Sequence, residues 1–262
     1  AGGIVPLLLP DEFPVNNTTE NIANNIRTNY ARDLPALTQR ELQAERPLLV
    51  VCGGPSLKDY LPLLELYSAN ADVMAVNGTY GFLLKHGIVP EYFLLVDSRE
   101  ENLPIVETPH FHTNHILATQ VHPRIYDRLT AFEVTKVNIG TPKTIEVVTE
   151  VNPDAEFLCT PLGHAGVHAI YVGVALGYQK QILFGYDCSY QNNDHHAFAQ
   201  PLNDDIETIT VVHKGVQFKT TSGLAQLASQ FQKSVAKLVE KRNLELSMCA
   251  DGLLPFILQS QE

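Results

Sequence analysis

One short stretch constrains the fold of this chain more than any other: an apolar run that ends abruptly in a glycine turn. Residues 48–51 read Leu-Leu-Val-Val, which is typical of a buried strand, and Cys52, two glycines, a proline and Ser56 follow. Glycine lets the backbone approach an anionic group closely. Ser56 is expected to cap a helix that begins at Leu57, so that free amides and the positive helix end point at an anion. The stretch therefore predicts a strand, a phosphate-binding turn and a helix.

The glycine turn does not match the established nucleotide-binding fingerprints. It has neither the G-x-G-x-x-G pattern of dinucleotide-binding folds nor the lysine-serine pair of a Walker loop. Dinucleotide and P-loop chemistry are therefore not supported. The alternative that the turn is only a tight connection between a strand and a helix stays open.

Composition and charge exclude several classes of protein. The chain has 262 residues, of which 45% are hydrophobic, so it can bury the core of a full domain. Its formal charge of -11 argues against a nucleic-acid partner, which would require a basic surface. The four cysteines are widely spaced, which predicts reduced, buried thiols in a cytoplasmic protein. The apolar residues 3–10 are too few to cross a membrane, so no transmembrane segment is expected.

The pattern of apolar runs predicts an α/β fold with a Rossmann-like parallel sheet flanked by helices. Residues 1–47 are expected to form an N-terminal helical appendage, and residues 48–262 a Rossmann-like nucleotide-binding domain. Short apolar strands alternate with helices from Pro47 onwards, as in βαβ units. The predicted strands of this sheet are 48–52, 72–76, 91–96, 115–119, 134–137, 156–159, 181–185 and 244–248. The predicted helices are 57–68, 79–86, 164–176 and 222–242, and residues 206–221 read as a hairpin.

Candidate nucleotide-binding residues follow from the rule that ligands of open parallel sheets bind at the carboxyl ends of the strands. The candidates at these ends are Gly53, Gly54, Pro55, Ser56, Asn77, Asp97, Gly185 and Asp187. A second turn into a helix adds Gly163, His164 and Gly166, where small residues leave an open helix start for an anion. Asn77 could also be part of a simple Asn-Gly turn, and Asp97 a capping or solvated carboxylate.

Short motifs in a fixed order carry a family resemblance. They are Gly-Gly-Pro-Ser-Leu at 53–57, Val-Asn at 76–77, Ala-Leu-Gly-Tyr at 175–178, Ile-Leu-Phe-Gly-Tyr-Asp at 182–187, and Tyr-Gln-Asn with His-Ala-Phe within 190–198. Together they resemble the MptE-like (DUF115) superfamily, with its motility accessory factors and archaeal hydroxymethylpterin pyrophosphokinases. They are also similar to bacterial lipooligosaccharide sialyltransferases.

The resemblance covers roughly residues 48–254 and implies a nucleotide-dependent transferase. It implies a glycosyltransferase that moves a nonulosonic acid from a CMP donor to a hydroxyl acceptor on a glycan or protein, with no required cofactor. One alternative is an ATP-dependent pyrophosphokinase of the hydroxymethylpterin type, which would use Mg²⁺ and the carboxylates of Asp97, Asp187 and Asp194. The other is a nucleotide-binding domain that has lost catalysis.

The resemblance also implies roles for individual side chains. It places Tyr190 and His196 at the departing phosphate, and His213 or His195 as the base that takes the acceptor proton. His164 stands in a stretch where the sialyltransferases have hydroxyl side chains, so two hydroxyl donors are absent.

Non-catalytic explanations remain open for the pair of histidines at 195 and 196. His195 and His196 could be solvated surface residues, and a metal site with Asp194 is not expected because no third spaced ligand is evident. The polar segment 188–204, without obvious strand or helix, is expected to form a mobile lid over the same cleft.

Overall fold

A computed structural model describes residues 18–26, 32–34, 46–199 and 206–260. The main sheet is formed by β1 (Arg32–Asp33), β2 (Leu48–Val51), β3 (Asp72–Val76), β4 (Tyr92–Leu95), β5 (Asn114–Ala118), β6 (Val134–Val137), β7 (Lys180–Phe184) and β10 (Glu245–Cys249). All of its strands are parallel, in the order β1-β6-β5-β4-β3-β2-β7-β10. A separate antiparallel hairpin consists of β8 (Ile209–His213) and β9 (Val216–Thr220).

Helices connect and cover these strands. They are α1 (Thr18–Asn25), α2 (Leu57–Ser68), α3 (Thr79–Lys85), α4 (Pro123–Arg128), α5 (Pro142–Val151), α6 (Ala165–Ala175), α7 (Ser222–Arg242) and α8 (Leu253–Gln259), with a 3-10 helix at Glu100–Val106. The predicted α/β fold with a parallel, helix-flanked sheet is therefore confirmed.

The central strand β2 explains why the chain folds around this sheet. Its four residues are completely buried, because helices cover both faces of a parallel sheet and leave no solvated side. Helix α6 is buried at nearly every position and contacts β2 and β3. The continuous apolar run at residues 48–51 is thus the sequence signature of a strand buried on both faces.

The strand order reverses direction next to β2. From β2 the chain proceeds outwards through β3, β4, β5 and β6, and it then crosses back so that β7 pairs with the other side of β2. Val51 lies level with Ala75 on one side and with Phe184 on the other. The loops after β2, β3 and β7 therefore leave the same edge at the point where ligands of such folds bind.

The predicted strand at 156–159 is wrong. Only Leu158 bridges to Ile139, through bonds from the Leu158 amide to Asn138 (2.8 Å) and from the Gly140 amide to Leu158 (3.0 Å). The reason is that β1 already pairs with the free side of β6, so the segment reaches only the residues beyond the end of β6.

The sequence prediction missed helices α4, α5 and α8, and the first two of them carry recognisable start signals. Helix α5 follows Thr141, whose side chain accepts from the Thr144 amide at 3.1 Å, and begins with a proline. Helix α4 also begins with a proline, Pro123. These are the usual signals of a helix start and were present in the sequence.

The described part of the appendage is joined to the main sheet. Strand β1 pairs with β6, and two buried asparagines of α1 donate to main-chain carbonyls beyond β4 and β5. Asn21 donates to Ser98 (3.2 Å) and Gln120 (3.1 Å), and Asn25 donates to the carbonyls of residues 119 (2.8 Å) and 121 (2.5 Å). These bonds hold α1 across the carboxyl ends of the two strands. The domain boundary between residues 47 and 48 stays a prediction.

Replacing Asn25 tests how strongly α1 is held. Asn25→Ala removes two buried hydrogen bonds and leaves both carbonyls without that donor, so we expect the free energy of unfolding to fall by about 1–3 kcal/mol. Urea denaturation measures the change. The exposed Asn24 on the same helix provides the control, since Asn24→Ala should have little effect. Equal effects of both substitutions would contradict the arrangement.

Candidate functional site

The site begins where the backbones of β2 and β7 continue side by side beyond their strands. The Cys52 amide donates to Phe184 at 2.9 Å and the Gly54 amide to Gly185 at 3.0 Å. A Cβ on Gly54 would lie 2.4 Å from the Gly185 oxygen, and one on Gly185 would lie 2.2 Å from the Cys52 oxygen. Gly185 also has a φ of +67°, which side chains rarely adopt. The close approach of two backbones therefore requires glycine at both positions.

Asp187 binds the start of helix α2. Its carboxylate accepts from the Ser56 amide at 2.7 Å and from the Ser56 hydroxyl at 2.6 Å. The expectation that Ser56 caps α2 with its own side chain is wrong, because Ser56 is already helical and makes no such bond. Asp187 instead supplies the negative charge that the helix end favours.

The protein itself uses most donors of the glycine turn. The amides of Gly54, Ser56 and Leu57 donate to Gly185, Asp187 and the Gly54 carbonyl, respectively. The expected row of free amides is therefore not present. Among the described residues, Gly53 is the one non-proline member of the turn whose amide has no protein acceptor. It is the donor that this turn retains for a ligand.

Burial raises the pKa of the Asp187 carboxyl from 3.8 to about 6. The Ser56 hydroxyl and amide lower the pKa of this group; Asp251 raises it through its charge and lowers it through its main-chain hydrogen bond, but burial has the largest effect. Asp187 is 2% exposed, and its main-chain oxygen accepts from Leu254 at the start of α8 at 3.1 Å. Asp187 therefore connects the loop after β7 to α2 and to α8, and its carboxylate faces the protein.

The ends of β3 and β4 carry Asn77 and Asp97. Asn77 has a φ of +51°, and its side-chain oxygen accepts from the Val96 amide at 3.4 Å. No described residue accepts from its side-chain nitrogen, which is a donor at the switch point. Asp97 accepts from the Arg99 guanidinium at 3.0 Å and 2.5 Å, so its charge is paired within the loop. Of the two, Asn77 is the better placed for a ligand.

The second predicted turn, before α6, is closed by a histidine cap. The His164 ring accepts from the Gly166 amide at 3.4 Å, and burial lowers the pKa of His164 to about 4, which keeps this nitrogen an acceptor. Gly166 lets the helix approach Tyr186, whose hydroxyl donates to the Gly166 carbonyl at 2.9 Å. Gly163 is exposed. The Gly166 amide at this helix start is therefore already used by the His164 ring.

Residues 188–199, hereafter the lid loop, return to the glycine turn. The loop is held at one end by the Tyr190 amide, which donates to Lys219 at 2.8 Å, and at the other by the Ala197 amide, which donates to Gly53 at 2.9 Å. The Phe198 ring packs on Phe82 of α3, with 5.5 Å between centroids. The lid loop thus lies at the carboxyl edge, as expected. Residues 200–204 of the predicted lid lie outside the described residues.

The lid loop contains a tight turn that the sequence analysis did not predict. Gln191 and Asp194 exchange two main-chain hydrogen bonds, at 2.9 Å and 2.8 Å. Asn192 and Asn193 between them both have positive φ, which asparagine tolerates better than most residues. The consecutive asparagines were the available signal for this turn.

The lid loop places two histidines over the glycine turn. A Cβ on Gly53 would lie 2.7 Å from Cδ2 of His196, so glycine at this position accommodates the histidine ring. Centroids of the His195 and His196 rings are 4.6 Å apart, and those of Tyr190 and His195 are 5.5 Å apart. The structure therefore brings together three of the four predicted catalytic side chains.

His196 is neutral in this arrangement. Burial, reinforced by His195, lowers the pKa of its ring to about 4, so a positive charge on His196 would require the presence of an anion. Its buried Nδ1 has no hydrogen-bond partner among the described residues.

His213 lies apart from this group. It ends β8 beside the hairpin turn, opposite Val216, and its ring packs edge-on against Phe256 at 6.0 Å. Tyr190 contacts Lys219 instead, three residues further along β9, or about 10 Å at strand spacing. The described contacts do not bring His213 to the lid loop histidines.

Two lysines beside the lid loop were missed by the sequence analysis. Lys219 reaches the side-chain oxygen of Asn193 at 3.1 Å and lies 5.1 Å from the centroid of the Tyr190 ring. Lys58 of α2 reaches the Asp194 carboxylate at 3.3 Å. No sequence pattern marks them, because both contacts join segments that are far apart in the chain.

The described residues also bear on three general expectations. They contain no group of three or more His, Cys, Asp or Glu side chains arranged to hold a metal ion. None of their helices has the length and apolar character needed to cross a membrane. All four cysteines are free thiols, but Cys159 is exposed and only Cys188 is fully buried, so the predicted burial of all four is wrong. Cys159 is exposed because it lies in the segment that fails to form a strand.

The fold and the switch-point site define a Rossmann-like α/β protein. The family model described as 6-hydroxymethylpterin diphosphokinase MptE-like matches residues 16–193, well over half of the chain. The chain therefore belongs to the MptE-like family, and the predicted family resemblance is confirmed. No curated protein sequence matches it.

Solved structures share the fold. The chain is similar to the MAf glycosyltransferase from Magnetospirillum magneticum AMB-1, with a TM-score of 0.69 and 17% identity over 91% of this chain. It spans 37% of that protein's length. A mammalian sialyltransferase in complex with Gal-beta-1-3GalNAc-ortho-nitrophenol matches with a TM-score of 0.41 and 14% identity, over 90% of this chain and 79% of that one. At such identities the likeness concerns the fold alone, and the sialyltransferase match is too distant to support an argument.

Replacing Gly53 tests whether His196 rests on the glycine turn. In Gly53→Ala the new methyl group collides with the His196 ring, which can move, so we expect the lid loop to detach while the sheet stays folded. Hydrogen exchange of residues 190–198, including the Ala197 amide, should accelerate at least tenfold. Gly81→Ala is the control, because a Cβ there meets nothing within 4 Å. Unchanged exchange in a folded Gly53→Ala protein would contradict the contact.

Replacing Asp187 tests its burial through the pH dependence of stability. The pKa of Asp187 is about 6 in the folded protein and about 3.8 in the unfolded chain, so the folded state binds more protons between these pH values. The contribution of Asp187 to the free energy of unfolding therefore falls as the pH rises from 3.8 to about 6. Asp187→Asn removes this loss. We expect the stability of the variant relative to the native protein to rise by up to about 3 kcal/mol between pH 4 and pH 7. Denaturant titrations at several pH values measure it, and a constant difference would refute the raised pKa.

Proposed function

We propose that this chain is a nucleotide-dependent transferase that moves a nonulosonic acid from a CMP donor to a hydroxyl acceptor. The observation that supports this most is the position of the lid loop. Its Tyr190, His195 and His196 come together beside Gly53, at the switch point where folds of this kind bind nucleotides. The MAf glycosyltransferase has the same fold, which is consistent with sugar transfer.

Donors at the switch point provide the binding interactions in this proposal. The Gly53 amide binds a phosphate oxygen, and the Asn77 side-chain nitrogen binds the cytidine. Gly54, Pro55 and Gly185 shape the turn on which the nucleotide lies, while Ser56 and Asp187 fix the helix behind it. Neither binding the nucleotide nor shaping the turn requires a cofactor in this proposal.

The proposed reaction needs one base and at least one donor to the leaving group. The acceptor hydroxyl attacks the anomeric carbon, the bond from that carbon to the CMP oxygen breaks, and the acceptor proton passes to the base. His195 is the preferred base, because it lies between Tyr190 and His196. The Tyr190 hydroxyl and an N–H of His196 donate to the departing phosphate. His213 is the alternative base and would need the hairpin to move towards the lid loop.

The alternative is diphosphate transfer from ATP, which the name of the family model favours. That reaction would use Mg²⁺ bridging the phosphates and carboxylates that hold the ion. The three candidate carboxylates already have protein partners: Asp97 binds Arg99, Asp187 binds Ser56 and Asp194 binds Lys58. This arrangement favours sugar transfer. A nucleotide-binding domain without catalysis is the third possibility, and a cytoplasmic location is the setting we propose for all three.

Calorimetry separates these functions. We expect CMP to bind with or without EDTA, because protein donors hold its phosphate, and ATP to bind more weakly. A pyrophosphokinase would instead require Mg²⁺ for tight ATP binding. Binding of ATP with Mg²⁺ but not of CMP would replace the proposal with the alternative.

His196 tests the chemistry once an acceptor is available. His196→Ala removes a donor to the leaving group, so the rate should fall by roughly ten- to a thousandfold with little loss of stability. Assays with a CMP-activated sugar measure the rate. His112, exposed before β5 at the opposite edge, serves as the control because His112→Ala should leave the rate unchanged. Equal rates for the His196→Ala and native proteins would exclude His196 from catalysis.

A further inference from the structure

We propose that Lys58 binds the anionic group of the substrate and that Asp194 holds this site until the substrate arrives. This inference rests on the proposed nucleotide-dependent function. Lys58 lies in the first turn of α2, directly after the glycine turn, and its ammonium group is 3.3 Å from the Asp194 carboxylate. Asp194 belongs to the lid loop, two residues before His196. The ion pair therefore links α2 to the segment that covers Gly53.

The charge of the chain makes this lysine significant. A protein with a formal charge of -11 repels anions, so a site for a phosphate must provide positive charge locally. His196 is neutral because of its burial, and the Arg99 guanidinium is held by Asp97. Of the two lysines beside the lid loop, Lys219 contacts Asn193 and Tyr190, whereas Lys58 follows the glycine turn directly, where the Gly53 amide is also available.

The existing ion pair is easily exchanged. The side chains of Lys58 and Asp194 are 51% and 60% exposed, and solvent screens pairs of this kind strongly. A phosphate that also binds the Gly53 amide makes an additional hydrogen bond that Asp194 does not make. The phosphate therefore displaces Asp194 from Lys58.

This exchange couples binding to movement of the lid loop. Asp194 closes the tight turn with Gln191, and its ion pair with Lys58 links that turn to α2. When phosphate binds Lys58, the ion pair between Lys58 and Asp194 breaks, while the contact of Tyr190 with β9 remains. The substrate anion thus releases one side of the loop that covers its own site.

A double-mutant cycle tests the exchange with CMP and with cytidine, which lacks the phosphate. Asp194→Asn removes the competitor and should tighten CMP binding by about two- to fivefold. Lys58→Met should weaken it by about tenfold or more. In the Lys58→Met background, Asp194→Asn should have almost no effect, because Asp194 acts through Lys58. Cytidine affinity should stay within twofold throughout.

A second exposed ion pair provides the matched control. Lys143 and Glu146 lie 3.4 Å apart on α5. Lys143→Met and Glu146→Gln remove the same charges as Lys58→Met and Asp194→Asn, but they should leave CMP affinity unaltered. Equal tightening by Asp194→Asn with and without Lys58 would indicate general charge repulsion and overturn the exchange. If Asp194→Asn leaves CMP affinity unchanged in the protein that retains Lys58, the exchange is overturned but the proposed function is not. If neither CMP nor ATP binds any variant, the proposed function fails as well.

Discussion

The carboxylate of Asp187 at the start of α2 is the interaction on which the site depends. It binds both the amide and the hydroxyl of Ser56, while the main chain of the same residue receives α8. Through this one residue the loop after β7 fixes the turn after β2 and the C-terminal helix. A buried carboxylate is costly in isolation, and the two hydrogen bonds from Ser56 make it tolerable. The glycines at 54 and 185 follow from the same contact, because it requires the two backbones to lie side by side.

The sequence was sufficient to predict the sheet and the edge at which the site lies. Runs such as residues 48–51 are apolar because both faces of a parallel sheet are covered, and the rule about carboxyl ends then identifies the loops that meet. The sequence was not sufficient to predict which hydrogen-bond donors remain available to a ligand. Ser56 and Asp187 are 131 positions apart, and nothing in the local pattern at either residue reveals that they satisfy each other.

The strand predicted at 156–159 and the position of His213 show the same limit of local sequence. Residues 156–159 have the composition of a strand, but strand formation also needs a free edge, and β1 occupies it. The resemblance points to His213 as a base downstream of the lid loop, whereas the register of the hairpin places Lys219 beside that loop. Pairing partners and register are properties of the assembled sheet, so local composition cannot supply them.

The two asparagines of α1 have a consequence for where chemistry can occur at all. By donating to carbonyls beyond β4 and β5, they cover the carboxyl ends of these two strands with protein. The two covers differ: α1 is held over the ends of β4 and β5 by the side chains of two buried asparagines, whereas the ends of β2 and β7 are covered by a loop held by a few main-chain bonds. A substrate can compete with the second cover far more easily than with the first.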